Sequence, residues 1–313
     1  MRRTCLDCVY ELAQRDDRVV FVGSDLGPGV LEDMKQCLPD RWFMEGVAEQ
    51  HVVGMAAGLA MEGFIPYVNT IATFLSRRCY EQIVLDLCLH RLPVRLIANG
   101  GGVVYAPLGP THLATEDIAI LRCVPNMTIV APCDASEMTR FMTASLDWPN
   151  PIYIRLAKGG DEVVSREENG FSIGKAIVLQ EPGEVLFVTT GIMTQQAMTA
   201  VQLLSEHGIR AGVLHMHTVK PLDQQALLRA TAGVELVLTV EEHVLAGGLG
   251  SAVIETLNDF GLMGRFRVIR MGFPDAFAPE YGSQDSLLRS WRLDSDALVA
   301  RVREELSRST SDG

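Results

Sequence analysis

The chain has no uncharged apolar run of the ~20 residues that a membrane-spanning helix needs. Nor does an apolar stretch of signal-peptide type follow Met1-Arg-Arg3, because Asp7, Glu11, Arg15, Asp16 and Asp17 come at once. It lacks a basic excess: 27 Lys and Arg stand against 39 Asp and Glu, a net charge of -12. That balance excludes general nucleic-acid binding, which needs a basic footprint, but leaves room for a local anion site. No GxGxxG follows the first apolar run, and there is no Walker loop. Cys5-Leu-Asp-Cys8 is the one CxxC, with no second Cys or His pair to complete a zinc site. Its i, i+3 spacing fits one buried helix face. The other five of seven cysteines are scattered, as in reduced proteins, so a cytoplasmic location is expected.

What is present is a large apolar fraction, 48%, over 313 residues, enough for two domains. Val19–Val22, Val94–Ile97, Met127–Val130 and Ile152–Leu156 read as buried strands. Helical patterns lie between them, around residues 4–14, 49–61, 74–90, 114–122 and 135–146. The alternation predicts a parallel α/β sheet. Residues 157–172 hold paired glycines, charges and Asn-Gly, and read as a linker. A second series follows, with strands at Glu184–Thr190, Ala211–His215, Val234–Val240 and Arg265–Ile269. Its helices fall near 193–207, 223–230 and 248–259, with two more at the C-terminus. The expected class is α/β with two domains, each a mainly parallel sheet flanked by helices. The boundaries are 1–158, a linker 159–172, then 173–307, with 308–313 as a frayed polar tail.

Glu49 stands out. It opens a helix that carries no charge from Val52 to Ala60. Burying an unpaired carboxylate is costly, and a chain that accepts the cost usually uses the proton. Equally, Glu49 suits a first-turn acid on the helix dipole, worth ~0.3–1 kcal/mol. The pattern alone supports both. His112 sits in a rigid Gly-Pro turn, which suits either a solvated loop histidine or a placed one. Gly247-Gly-Leu-Gly250 opens a helix after a strand, as a tight turn or an anion cradle. Glu241, Glu242 and His243 lack further ligands at metal spacing and read as hydrogen-bonded structural groups. Phe74 begins a mixed helix, where an aromatic most often belongs to the core.

The order of these segments is more specific than any one of them. Glu49 before its small-residue helix is followed by Thr73-Phe-Leu-Ser-Arg-Arg-Cys-Tyr-Glu-Gln-Ile83, Gly109-Pro-Thr-His112, Glu116 to Met127 and Pro132-Cys-Asp134. Together they resemble the pyrimidine-binding half of transketolase and of its relative deoxyxylulose-phosphate synthase. Thr218-Val-Lys-Pro-Leu-Asp223 and Glu241-Glu-His243 with Gly247–Gly250 resemble the C-terminal domain of the same enzymes. The resemblance covers nearly the whole chain. It implies the thiamine-diphosphate pyrimidine-binding fold plus a transketolase C-terminal-like domain.

In that family the residue at Glu49 bonds N1′ of the aminopyrimidine of thiamine diphosphate, and the residue at Phe74 stacks on the same ring. Ile71 and Arg77 fall beside them as cofactor-site residues, with Arg77 one turn on from Phe74 and able to reach an anionic substrate group. His112 matches a histidine near the reacting carbons, and Arg155 an arginine that holds a sugar phosphate. Two positions depart. Leu108 replaces an Asp that reads a substrate hydroxyl, and Gly100 replaces a phosphate-binding His. With Tyr105 and Pro107 they imply a partly apolar acceptor side and ketol or acyl transfer to a non-standard acceptor.

The Gly-Asp-Gly…Asn motif that binds Mg2+ and the diphosphate in transketolases does not occur here. The resemblance therefore implies a split enzyme. A partner N-terminal subunit would hold the diphosphate and Mg2+ in an assembly such as α2β2. The same domain pair occurs in the β subunit of 2-oxoacid dehydrogenases, and a non-catalytic regulatory subunit is the third reading.

Overall fold

Strand-forming runs and helices alternate along the chain because each sheet is buried on both faces. The computed structural model describes residues 1–24, 31–157, 159–160 and 162–311, of which 309–311 as backbone only. Among the described residues there are two sheets, of seven and five strands.

The larger sheet runs, edge to edge, Thr218–Lys220, Thr128–Val130, Ile152–Leu156, Arg95–Asn99, Ile65–Ile71, Val19–Ser24 and Trp42–Glu45. All its pairs are parallel except the first. The smaller sheet runs Arg267–Phe273, Leu236–Val244, Val185–Thr189, Ala211–His215 and Ile177–Gln180, parallel except at the last pair. The two-domain α/β expectation holds.

Several expectations need correction. Ile65–Ile71 is a central, buried strand that the apolar-run pattern misses. Pro66 and Asn69 interrupt that pattern, and a proline argues against a central strand. Burial decides otherwise, and the Asn69 Oδ1 accepts from Asn99 Nδ2 at 2.6 Å on the next strand. The helix expected at 74–90 is broken: Ala72–Arg78, a short turn Tyr80–Gln82, then a π-helical segment Ile83–Cys88. The helix expected from 114 begins at Asp117, because Ala114 bridges to Gly101 and Gly102 instead. At the C-terminus the last helix, Ser295–Ser311, runs past the expected boundary at 308; residues 312–313 lie outside the described ones.

Among the described residues, hydrogen bonds tie both the linker region and the domain boundary. Asp134 caps the helix Ala135–Ser145 through Glu137 N–H, and its other oxygen accepts from the Val164 and Ser165 amides at 2.8 and 2.7 Å. The strand Thr218–Lys220 leaves the second domain to pair antiparallel with Thr128–Val130 at the edge of the first sheet. Lys220 Nζ then donates to the carbonyls of Arg122 and Val124 at 2.8 and 2.5 Å. Cys5 and Cys8 are both buried on the first helix, as expected, and all seven cysteines are free.

Candidate functional site

Three ends of the first sheet converge. The strand Ile65–Ile71 ends at Ile71, which is the N-cap of the helix Ala72–Arg78. One turn in, this helix presents Phe74, partly buried. Glu49 begins the helix Glu49–Met61 and is 3% exposed. The turn Pro110–His112 brings His112 to Phe74, ring centroids 5.1 Å apart and edge-on. His112 Nδ1 lies 3.0 Å from Thr111 Oγ1, which limits the ring's rotation. Residues up to 63 positions apart in sequence thus share one locus, Glu49 and Phe74 at its centre.

Glu49 is not an unpaired carboxylate. Arg78 Nη1 donates to its Oε2 at 2.8 Å. The same guanidinium lies over the Phe74 ring, 4.3 Å from the centroid. Sequence reasoning left Arg78 out, and the one signal for it is the Arg77-Arg78 pair. The neighbouring arginine faces elsewhere. Arg77 Nε hydrogen-bonds Glu116 Oε1 in a close ion pair, and Nη2 donates to Leu113 O at 3.0 Å. Burial would raise Glu116, but the Arg77 hydrogen bond and charge outweigh it and hold that carboxyl below its usual range. Arg77 also lines a cavity of about 950 Å3 between the two domains, with Glu116, Val244, Leu245, Arg270 and Phe277.

Arg155, for which the resemblance implies a sugar phosphate, is paired within the fold. It is 6% exposed. Its Nε donates to Asp117 Oδ2 at 2.9 Å, and its Nη2 to Ala114 O and Glu242 O at 3.0 and 2.8 Å. It is a tie between the domains. Gly101 is what allows this: a Cβ there would stand 2.6 Å from Arg155 Cγ. Gly100 and Gly102 have positive φ, +77° and +65°, and equally close neighbours. A Cβ on Gly100 would overlap the Tyr105 ring at 2.1 Å, so Tyr105 fills the space that a larger side chain at 100 would take. Tyr105 is half-buried, whereas Pro107 and Leu108 are exposed, Leu108 at 50%.

From the second domain, Glu242 reaches into this loop. Its Oε1 accepts from the Val103 amide at 2.9 Å and from Gln284 Nε2 at 2.8 Å. Burial pushes its carboxyl up to about 7, despite the nearby Arg155 charge. Glu241 settles the Gly247–Gly250 turn: its oxygens accept from Leu249 and Gly250 amides at 2.7 and 2.8 Å. The anion at that helix start is thus the protein's own. A Cβ at Gly248 would collide with it. His243 Nε2 accepts from the Ala119 amide at 3.2 Å. The structural reading of these three residues holds.

The pyrimidine half of the expected cofactor fits what is here. A carboxylate and an aromatic face are both met by one flat, nitrogen-bearing group, the Arg78 guanidinium. Mg2+ does not fit. Among the described residues, the cluster close enough to hold a metal is Cys133, Glu137 and His215, all buried. Mg2+ prefers oxygen ligands and retained waters, not thiol and imidazole in a dry core.

The match to the transketolase pyrimidine-binding domain covers residues 1–160, and that to the transketolase C-terminal domain covers residues 174–298. The 1-deoxy-D-xylulose-5-phosphate synthase of Caldanaerobacter subterraneus subsp. tengcongensis is 38% identical over 302 residues, 94% of this chain and 47% of that protein. The chain spans about half the length of the synthases it matches. The 6-deoxy-6-sulfo-D-fructose transketolase subunit SqwH of a Clostridium species is 35% identical over 309 residues, 98% of this chain and 95% of that one. Among solved structures, a split gene transketolase described as an inactive beta4 tetramer superposes with a TM-score of 0.89 at 33% identity, covering 98% of each chain. Transketolase of Pichia stipitis shares the fold, with a TM-score of 0.79 at 18% identity, over 99% of this chain and 46% of that one. Glu49, Phe74 and His112 therefore lie in a protein that belongs to the transketolase family.

Proposed function

We propose that this chain is the pyrimidine-binding and C-terminal subunit of a split, thiamine-diphosphate-dependent transketolase-type transferase. The observation that carries the reading is that one guanidinium, Arg78, touches both a buried carboxylate, Glu49, and an aromatic face, Phe74. Glu49 would bond N1′ of the aminopyrimidine and Phe74 would stack on the ring, an offset contact worth ~0.5–1.5 kcal/mol beyond area burial. Bound thiamine diphosphate supplies a nucleophilic carbon. Glu49 holds or moves a proton at N1′. Ile71 sets the start of the Phe74 helix. His112, held by Thr111 and Phe74, is placed to donate to a substrate hydroxyl or carbonyl oxygen.

A partner N-terminal subunit would bring the diphosphate and Mg2+ sites, in an assembly such as α2β2 in the cytoplasm. The near-equal length of the SqwH subunit supports a split arrangement. The transfer is proposed to run from a ketose or 2-oxoacid donor to an aldehyde or other non-standard acceptor. Tyr105 filling the Gly100 space and the exposed Leu108 support a partly apolar acceptor side. Arg77, provided Glu116 yields it, joins Arg155 as a candidate for an anionic substrate group.

The test is Glu49→Gln in the complex formed with the co-purifying partner. Turnover should fall by at least a hundredfold while the melting temperature barely moves. Unchanged turnover would favour a non-catalytic subunit. Turnover of pyruvate with a lipoyl acceptor, but not of ketoses, would favour a 2-oxoacid dehydrogenase subunit. Thiamine diphosphate with Mg2+ should stabilise the pair far more than this chain alone.

A further inference from the structure

Two adjacent arginines end the helix Ala72–Arg78, and they do different things. Arg77 is tied to Glu116 and to the Leu113 carbonyl. Arg78 is tied to the two residues assigned above to the aminopyrimidine. Its Nη1 meets Glu49 Oε2 at 2.8 Å, and its guanidinium carbon lies 4.3 Å from the Phe74 centroid. A guanidinium is planar, presents N–H groups in its plane and stacks on aromatic faces. An aminopyrimidine offers the same features: a flat face for Phe74 and an in-plane nitrogen for Glu49.

We propose that Arg78 occupies the aminopyrimidine's seat in the unloaded subunit, and that the cofactor must displace it to reach Glu49. The inference rests on the reading of Glu49 and Phe74 given above. Arg78 is therefore a positioning residue. It covers an otherwise unpaired buried carboxylate until the cofactor ring replaces it. Its side chain is 44% exposed, against 3% for Glu49, so it can swing into solvent without unfolding the helix. Leaving a buried carboxylate alone is unfavourable, so exchange of one flat partner for another is the lower-cost route. Glu49 has a second oxygen, and a cofactor that used it would leave Arg78 in place. The two arrangements predict opposite signs.

The experiment is calorimetric titration of thiamine diphosphate, with Mg2+ present, into the complex of this chain with its partner. Wild type, Arg78→Ala, Arg78→Lys and, as a control, Arg77→Ala are compared. Displacement of one part-buried ion pair and one cation–π contact predicts a Kd about tenfold lower for Arg78→Ala. Arg78→Lys should fall between it and wild type, because the ammonium keeps the charge but loses the planar stack. Meanwhile the melting temperature of the unloaded Arg78→Ala complex should drop, since Glu49 loses its partner. Weaker or unchanged binding in Arg78→Ala, with wild type binding normally, overturns the seat-holding role and leaves the site reading intact. Absence of binding in wild type and every variant overturns the site reading itself, and this inference with it. In a second readout, the full chain alone is tested with 4-amino-5-hydroxymethyl-2-methylpyrimidine by saturation-transfer NMR. The signal should rise in Arg78→Ala and vanish in the Glu49→Ala/Arg78→Ala double variant. Equal signals in wild type and Arg78→Ala would also overturn the proposal.

Discussion

Glu49 and Glu242 are both buried carboxylates, yet their surroundings separate them. Glu49 has a cation at hydrogen-bond distance, whereas Glu242 has one amide, one side-chain amide and a guanidinium already committed to Asp117. Burial wins at Glu242, where the carboxyl rises to about 7 from 4.5. A folded pKa above the unfolded one gives stability that is fully present below pH 4.5 and lost as pH rises through 7. Glu242→Gln keeps an acceptor for Val103 and removes the charge. It should match wild type near pH 5 and exceed it by about 2–3 kcal/mol at pH 8. Thermal unfolding at several pH values checks this, and a constant gap would count against the burial account.

Two elements, a loop and a helix, explain much of the site's shape. The loop Gly100-Gly-Gly102 follows a strand end and must pass under Tyr105, Arg155 and Glu242, which no residue with a Cβ could do unchanged. Gly100→Ala should cost about 2–4 kcal/mol, from overpacking against Tyr105 and a left-handed backbone. Adding Tyr105→Ala should recover the packing share, which denaturant melts of the single and double variants would resolve. Along the helix Glu49–Met61, Gly54 and Gly58 are four apart and open to space, with nothing within 4 Å of a Cβ. Gly58→Ala should raise the chain's own stability by about 0.5–1 kcal/mol, as a helix interior gains from losing glycine. Gly58→Arg should leave the fold intact but block association if this face packs on a partner. Size-exclusion chromatography of the two variants with the partner distinguishes them.

Across the whole molecule, the domain boundary is a polar seam rather than a hinge. Glu137 of the first domain and His215 of the second lie 2.9 Å apart, both fully buried. Burial alone would raise Glu137, but His215 brings it down to about 2. Close by, burial lowers His217 to about 4 from 6.5. A depressed carboxyl gives stability that is lost as pH falls from 4.5 through 2, and a depressed imidazole resists charging between 6.5 and 4. Both slopes point the same way. Melting temperature should drop on acidification from pH 6.5, with His217 contributing about 2–3 kcal/mol by pH 4. His217→Asn should flatten that part of the curve. A slope unchanged in the variant would assign it elsewhere.

Local chemistry was legible in the residues themselves. Apolar runs exposed most strands, because a strand buried on both faces needs no alternation. Glu49 before an uncharged helix, and His112 after Gly-Pro, were marked by being polar where their neighbours were not. The strand Ile65–Ile71 was hidden because its proline and asparagine obey no local rule and are accepted only through burial and a bond to Asn99. Tertiary packing alone decided the arginines. One long cationic side chain looks like another in sequence, and its role depends on which partners the fold brings within about 3 Å. So Arg155 became a tie between domains, Arg77 the partner of Glu116, and Arg78 the partner of Glu49. The residue types determined what chemistry was available, and contacts between residues distant in sequence determined which of it each residue performs.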